Sequence, residues 1–153
     1  HLFEGINSRM DGLQAAILST KLPYIEQWTN RRQEIAQIYM NSLADVSQIT
    51  LPKTQANNKH VFHLFVIEVE KRTALQAFLA SNQIETAIHY PTPLPFLPCY
   101  SHLSNSTDEF LNSIDKQAKI LSLPIWAEIT TGQIHHVCDS IKEFYQSPSP
   151  FSK

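Results

Sequence analysis

Apolar residues recur at helical spacing near the start of this chain. From Asp11 to Thr20 they fall on one face of a helix, and the alanine and leucine content favours helix further, at positions Leu13, Ala16, Ile17 and Thr20. We predict a short buried helix here. Asn7 and Ser8 mark its start, because their side-chain oxygens can accept the unpaired N–H groups of a first turn.

A proline separates this helix from a second, longer one. The residue before Pro23 is disfavoured in the helical region, and Pro23 itself suits the first turn of a new helix. The pattern predicts this second helix from Tyr24 to Leu43. Its apolar face comprises Ile25, Trp28, Ile35, Ile38 and Tyr39. Its polar face carries Arg31, Arg32 and Glu34, which we expect to stay in water.

The rest of the chain alternates strands with helices. Branched and aromatic residues predict one strand over His60–Val69, and two shorter strands are predicted over Ile84–His89 and Leu121–Pro124. Helices are predicted over three segments: Thr73–Ser81 with Leu75, Phe78 and Leu79 inward, Asp108–Lys119, and Thr131–Tyr145. This alternation indicates a small α/β or α+β domain with helices against one sheet, followed by a flexible tail at 147–153.

Composition narrows the function classes. The 153 residues are 42% apolar, enough for a buried core, and the formal charge is only −2, with 12 basic and 14 acidic residues mixed along the chain. Such a balance offers no footprint for nucleic acid or an anionic membrane. No apolar run approaches the roughly 20 residues of a membrane span, and no signal peptide is visible, so we expect a cytoplasmic protein. Cys99 and Cys138 predict neither a disulfide framework nor a zinc site.

The histidines do not predict a metal site. His60 and His63 are three apart on a predicted strand, so they would face opposite sides of the sheet. His135 and His136 are neighbours on a predicted helix and are expected to lie on its solvated face. A metal-dependent hydrolase is therefore disfavoured, and we assign no metal ligand.

Five segments, in order, resemble one enzyme family. The first reads Gly5-Ile6-Asn7-Ser8-Arg9-Met10-Asp11-Gly12-Leu13-Gln14-Ala15-Ala16. The others are Lys21–Ile25 with the helix after it, His60–Val66, Ile88-His89-Tyr90-Pro91-Thr92-Pro93-Leu94, and Leu121-Ser122-Leu123-Pro124. Together they resemble the DegT/DnrJ/EryC1/StrS aminotransferases, which use pyridoxal 5′-phosphate to aminate keto sugars linked to nucleotides.

The resemblance implies a C-terminal part of the type I aminotransferase fold. Residues 1–22 would be an inter-subunit turn and short helix at the edge of the large domain, 23–45 a linker helix, and 46–146 the small domain. The opening on His1 instead of methionine fits a fragment, a processed product or a partially expressed chain. An amino group, usually from glutamate, would pass to the nucleotide-linked sugar.

The resemblance also implies roles for four residues. Asn7 would hydrogen-bond the phosphate of the cofactor in the neighbouring subunit, which requires at least a homodimer. Arg9, His89 and Tyr90 would contact substrate. No catalytic residue is assigned, because none of the lysines lies in the context of the family's cofactor-binding lysine; the chain alone is expected to be inactive.

Alternative interpretations remain for the same residues. Asn7 and Ser8 could simply cap a helix, and Arg9 could form a surface ion pair with Asp11. The chain as a whole could be a non-catalytic remnant, or a small interaction domain that dimerises through its N-terminal helices.

Three positions depart from the family pattern. Pro95 stands where a histidine usually follows the proline-rich loop, so substrate choice could differ. Gly12 replaces a common glutamate. Gln83 replaces a glycine expected in a left-handed conformation, unless Asn82 adopts that conformation instead.

Overall fold

A three-stranded antiparallel sheet organises the chain in the computed structural model, which describes residues 2–146. The predicted flexible tail at 147–153 lies outside the described residues. The strands are β1 (Ile49–Thr50), β2 (Phe65–Val69) and β3 (Ile120–Leu123), with β2 in the centre. Ile49 pairs with Val69, and Phe65 pairs with Leu123.

Five α-helices accompany this sheet in the described residues: α1 (Gly12–Lys21), α2 (Ile25–Leu43), α3 (Arg72–Ser81), α4 (Leu111–Gln117) and α5 (Thr131–Gln146). Short 3₁₀ turns occupy Leu22–Tyr24, Leu94–Phe96, Pro98–Leu103 and Thr107–Phe110. Among residues 2–146, no helix is both long and apolar enough to cross a membrane. The mixed helix and sheet architecture confirms the predicted fold class.

The core forms where α2, α3 and α5 cover one face of the sheet. Alternate residues of β2 are buried, as the period of a strand requires, namely Phe65, Ile67 and Val69. Each helix contributes residues from one stripe, at the helical spacing that the sequence shows: Ile35, Ala36, Tyr39 and Leu43 from α2, Leu75 and Leu79 from α3, and Ile134, Val137, Cys138 and Ile141 from α5. Phe78, predicted inward, is only half-buried.

The prediction of a buried first helix is wrong for this chain. Helix α1 has no buried residue, and Leu13 and Ile17 are exposed. Its cap is also not the predicted one. Asp11 accepts a hydrogen bond from the Gln14 N–H at 2.8 Å, and the Gln14 side chain accepts the Asp11 N–H at 3.2 Å. This capping box lies next to the first helical residue, whereas Asn7 is four residues too early to reach a first-turn amide.

Two of the three predicted strands are longer than those observed, whereas the prediction at Leu121–Pro124 differs from β3 by one residue at each end. The His60–Val69 strand begins only at Phe65, because Phe62 has a φ of 46°, which an extended strand cannot contain. In the predicted strand Ile84–His89, only Ala87 pairs, in an isolated bridge to Ser122 of β3. Strand β1 was not predicted, since two residues carry too little pattern to detect.

In the turn after α3, Gln83 and not Asn82 adopts the left-handed conformation. Gln83 has a φ of 62°, whereas Asn82 has a φ of −92°. The Ile84 N–H donates to the Leu79 carbonyl at 2.9 Å, and the Gln83 N–H donates to the Ala80 carbonyl at 3.0 Å. This is a Schellman motif, in which the left-handed residue is usually glycine. Gln83 therefore occupies a strained position.

We expect Gln83→Gly to stabilise the chain by about 0.5–1 kcal/mol, because glycine adopts a left-handed φ without steric cost. Urea unfolding followed by circular dichroism measures the difference. Asn82→Gly is the matched control and should destabilise, because Asn82 is not left-handed and its side chain donates to the Phe78 carbonyl at 3.0 Å. The assignment would be wrong if the glycine were stabilising at 82 and destabilising at 83.

Candidate functional site

The two N-terminal candidates lie in an exposed segment. Asn7 and Arg9 precede α1, outside any helix or strand. Among residues 2–146, no hydrogen bond or ion pair involves either side chain. The helix-cap interpretation of Asn7 and Ser8 and the Arg9–Asp11 ion-pair interpretation are therefore both wrong. The amide of Asn7 and the guanidinium of Arg9 are available to bind a group from outside this chain.

The two loop candidates lie together elsewhere in the fold. His89 is half-buried, and its Nδ1 lies 2.9 Å from the Ser122 Oγ of β3. Tyr90 is 70% exposed and meets the His89 ring edge-on, with ring centroids 5.5 Å apart. A fixed imidazole thus stands beside an exposed phenol at the start of the proline-rich loop.

A cavity of about 530 Å³ adjoins His89. Irregular chain from Gln83 to His89 forms one wall, and β3 with the first turns of α5 forms the others; its polar lining includes His63, Ser122, Trp126, Gln133 and His136. We call it the His89 cavity. A pocket with apolar walls and a few polar side chains has the character of a small-molecule site.

Local hydrogen bonds hold these walls in place. Gln133 and Thr130 cap α5 reciprocally, with the Gln133 side chain accepting the Thr130 N–H at 2.9 Å and the Thr130 hydroxyl accepting the Gln133 N–H at 3.2 Å. His136 Nε2 lies 3.0 Å from the Asn82 carbonyl. The first interaction fixes the first turn of α5, and the second attaches α5 to the end of α3.

Arg32 holds two further segments of the cavity wall, one at Phe62 and His63 and one at Ile125, through their backbone carbonyls. Its Nη1 lies 3.2, 3.1 and 3.0 Å from the carbonyl oxygens of Phe62, His63 and Ile125. Arg31 donates to the Ile129 carbonyl at 3.2 Å. The expectation that both arginines stay in water is wrong, because their long side chains reach carbonyls that the strands leave unpaired, and both are half-buried.

The described residues offer no lysine at the cavity that could form a Schiff base with a cofactor. Instead Lys116 pairs with Glu68, Lys119 with Asp115 and Lys142 with Asp45. Burial raises the pKa of the Cys138 thiol to about 11, so it stays protonated near neutral pH.

The histidines form no metal centre in the part of the chain that the structure describes. No three His, Cys, Asp or Glu side chains there are grouped closely enough to hold a metal ion. His60 and His63 are not on a strand, so the reason given from the sequence was wrong. His60 Nδ1 instead accepts the Phe62 N–H at 2.9 Å. His135 and His136 are exposed on α5, as predicted.

Comparison with known proteins then decides the family. The profile of the DegT/DnrJ/EryC1/StrS aminotransferase family matches residues 1–142. The chain belongs to this family. The resemblance seen in the five sequence segments is confirmed.

Several relatives illustrate the match. The chain is 38% identical over 142 residues to the erythromycin biosynthesis sensory transduction protein EryC1 of Saccharopolyspora erythraea, covering 93% of this chain and 39% of the relative. It is 38% identical over 144 residues to the dTDP-3-amino-3,6-dideoxy-alpha-D-galactopyranose transaminase of Aneurinibacillus thermoaerophilus, covering 94% and 39%. The structure of Streptomyces venezuelae DesV in complex with a ketimine intermediate superposes with a TM-score of 0.88 at 32% identity, covering 95% and 39%.

The chain therefore spans about two fifths of the length of these family members. The family pattern gave roles to His89 and Tyr90 and included Ser122 in the segment Leu121–Pro124 without a role, whereas the structure places Ser122 against His89. One signal for it was present in the sequence. Ser122 is a polar residue between Leu121 and Leu123 in a strand that is otherwise apolar, and a buried polar side chain usually has a specific partner.

Proposed function

We propose that this chain is the C-terminal part of a nucleotide-sugar aminotransferase that uses pyridoxal 5′-phosphate and takes its amino group from glutamate. The observation that carries the proposal is the structural similarity of this chain to DesV, with a TM-score of 0.88 and 32% sequence identity over 95% of the chain. Relatives named as transaminases of dTDP-linked amino sugars support the substrate class. Cytoplasmic location stays a prediction.

The exposed side chain of Asn7 has the chemistry to bind the phosphate group of the cofactor. Pyridoxal phosphate, when bound, supplies the electron sink needed to move an amino group. Asn7 offers an amide N–H₂ without a partner among residues 2–146, and such a group donates to phosphate oxygens. The proposal includes that this chain alone does not hold the cofactor covalently and does not turn over substrate, because none of its lysines lies in the sequence context of the family's cofactor-binding lysine.

We also propose a homodimer, because an Asn7 that binds the cofactor of a neighbouring subunit requires a second copy of the chain. In this proposal residues 1–22 belong to the edge of a large domain and serve the neighbouring subunit, 23–45 link the domains, and 46–146 form the small domain. Arg9, with its planar guanidinium, would bind a phosphate or carboxylate of the substrates. His89 and Tyr90 would orient the nucleotide-linked keto sugar.

A second candidate has one observation in its favour. The N-terminal segment exposes many large apolar side chains, including Leu2, Phe3, Ile6, Met10, Leu13, Ile17, Leu18 and Leu22. Exposed apolar patches mark contact surfaces. A non-catalytic interaction domain that dimerises through this segment would use the same surface.

Replacing Asn7 separates the two candidates. In the natural gene product we expect Asn7→Ala to weaken the affinity for pyridoxal phosphate about tenfold, because a hydrogen bond to a charged acceptor contributes about 1.5 kcal/mol. Fluorescence titration with the cofactor gives the affinity, and mass spectrometry of a dTDP-linked keto sugar incubated with ¹⁵N-glutamate reports amination.

Ser8→Ala is the matched control, because Ser8 is a neighbouring exposed polar residue with no partner among residues 2–146. It should leave the cofactor affinity unchanged. A gene product that neither binds the cofactor nor aminates the sugar would contradict the aminotransferase proposal and favour the interaction domain.

A further inference from the structure

Ser122 is a buried polar residue that holds the His89 segment at two points. It is 5% exposed, and its backbone exchanges two hydrogen bonds with Ala87, at 2.8 and 3.2 Å. Its side chain meets His89 Nδ1 at 2.9 Å. The backbone pair fixes the chain two residues before His89, and the hydroxyl fixes the ring itself.

The direction of this hydrogen bond follows from the surroundings of the hydroxyl. Among residues 2–146, the Ser122 hydroxyl has no partner besides His89. If Nδ1–H donated to Oγ, the hydroxyl hydrogen of this buried residue would have no acceptor among residues 2–146, and an unpaired buried polar group costs about 1–3 kcal/mol. If the hydroxyl donates to Nδ1, that hydrogen is paired, and the proton of the neutral ring must be on Nε2.

We propose that Ser122 is a positioning residue that holds His89 as the Nε2–H tautomer, so that His89 presents a hydrogen-bond donor to its ligand. The Nε2 atom lies on the side of the ring away from buried Ser122. In the neutral ring it cannot accept a hydrogen bond, because its lone pair is replaced by N–H.

The consequence for binding rests on the proposed function. An Nε2–H donor selects an acceptor oxygen on the sugar nucleotide, such as a carbonyl or a hydroxyl oxygen, and gives no preference to a group that can only donate. The amino group of a protonated amino sugar is such a donor. His89 would therefore favour the keto sugar over its protonated amino product at this contact.

The tautomer can be measured without any activity. Long-range ¹H–¹⁵N spectra of the ¹⁵N-labelled 153-residue chain distinguish the protonated from the unprotonated ring nitrogen, and His89→Gln identifies the His89 signals. At about pH 8.5, we expect Nε2–H to exceed Nδ1–H at least tenfold. Ser122→Ala should bring both tautomers to comparable populations, and Ser122→Thr should restore the wild-type ratio.

A dominant Nδ1–H in the wild-type chain would overturn the proposal, as would an unchanged ratio in Ser122→Ala. Should a Ser122 variant fail to fold, the wild-type tautomer decides by itself. The outcome is also separate from the fate of the proposed function. A chain with the Nε2–H tautomer whose gene product lacks aminotransferase activity contradicts only the function, and an active gene product with Nδ1–H contradicts only this inference.

Discussion

Arg32→Met is expected to lower the free energy of unfolding by about 3 kcal/mol, because hydrogen bonds to a charged group contribute about 1.5–3 kcal/mol each and the side chain serves several acceptors. Methionine keeps the apolar packing of the side chain and removes the donors. The carbonyls of Phe62, His63 and Ile125 would then lose their shared partner. Chemical unfolding monitored by tryptophan fluorescence measures the loss.

The adjacent arginine provides the comparison for this effect. Arg31 donates to one backbone carbonyl, that of Ile129, and to the exposed carboxylate of Glu34. Surface ion pairs contribute little, so Arg31→Met should cost about half as much, roughly 1.5 kcal/mol. If the two variants were equally stable, the three carbonyl contacts of Arg32 would contribute no more than the single carbonyl contact of Arg31.

Phe65→Ala should be still more damaging, at about 4 kcal/mol, since truncating a buried phenylalanine usually costs about 3–5 kcal/mol. Phe65 is 0% exposed, and its ring lies 5.0 Å from the ring centroid of Tyr39 and 6.0 Å from that of Phe62. The truncation would leave a cavity between α2 and the sheet, where the Phe65 ring packs against Tyr39. Thermal unfolding followed by circular dichroism would show a large fall in midpoint.

Phe3→Ala makes the same chemical change at an exposed position. Phe3 is 84% exposed, so its loss should leave the free energy of unfolding within about 0.5 kcal/mol of the wild type. Similar losses for Phe3 and Phe65 would contradict the assignment of the core.

Helices α2, α3 and α5 were predicted to within one residue at each end. Their signals are local, because helical spacing of apolar residues and the cap that starts a helix lie within a few positions of one another. The strands were predicted less accurately. Pairing depends on residues far apart in the chain, so the sequence could not show that only Ala87 of the segment Ile84–His89 would pair with Ser122.

For the candidate site too, the sequence indicated some features and the structure was needed for the others. The family resemblance directed attention to Asn7, Arg9, His89 and Tyr90, because it compares order and residue type along the chain. The structure added contacts between distant segments: Ser122 against His89, and Arg32 against the turns at Phe62 and Ile125. It also removed two local alternatives, since Asp11, and not Asn7 or Ser8, caps α1, and among residues 2–146 Arg9 forms no ion pair with Asp11.

By itself the sequence determined the family, the helices and the residues that can carry chemistry, because periodicity, caps and motif order are properties of neighbouring residues. Only the tertiary structure decided which polar groups are buried and what they touch. Hydrogen bonds such as that between Ser122 and His89 join residues 33 positions apart. Their existence follows from the exclusion of water between packed elements, which forces each buried donor to find an acceptor wherever the fold places one.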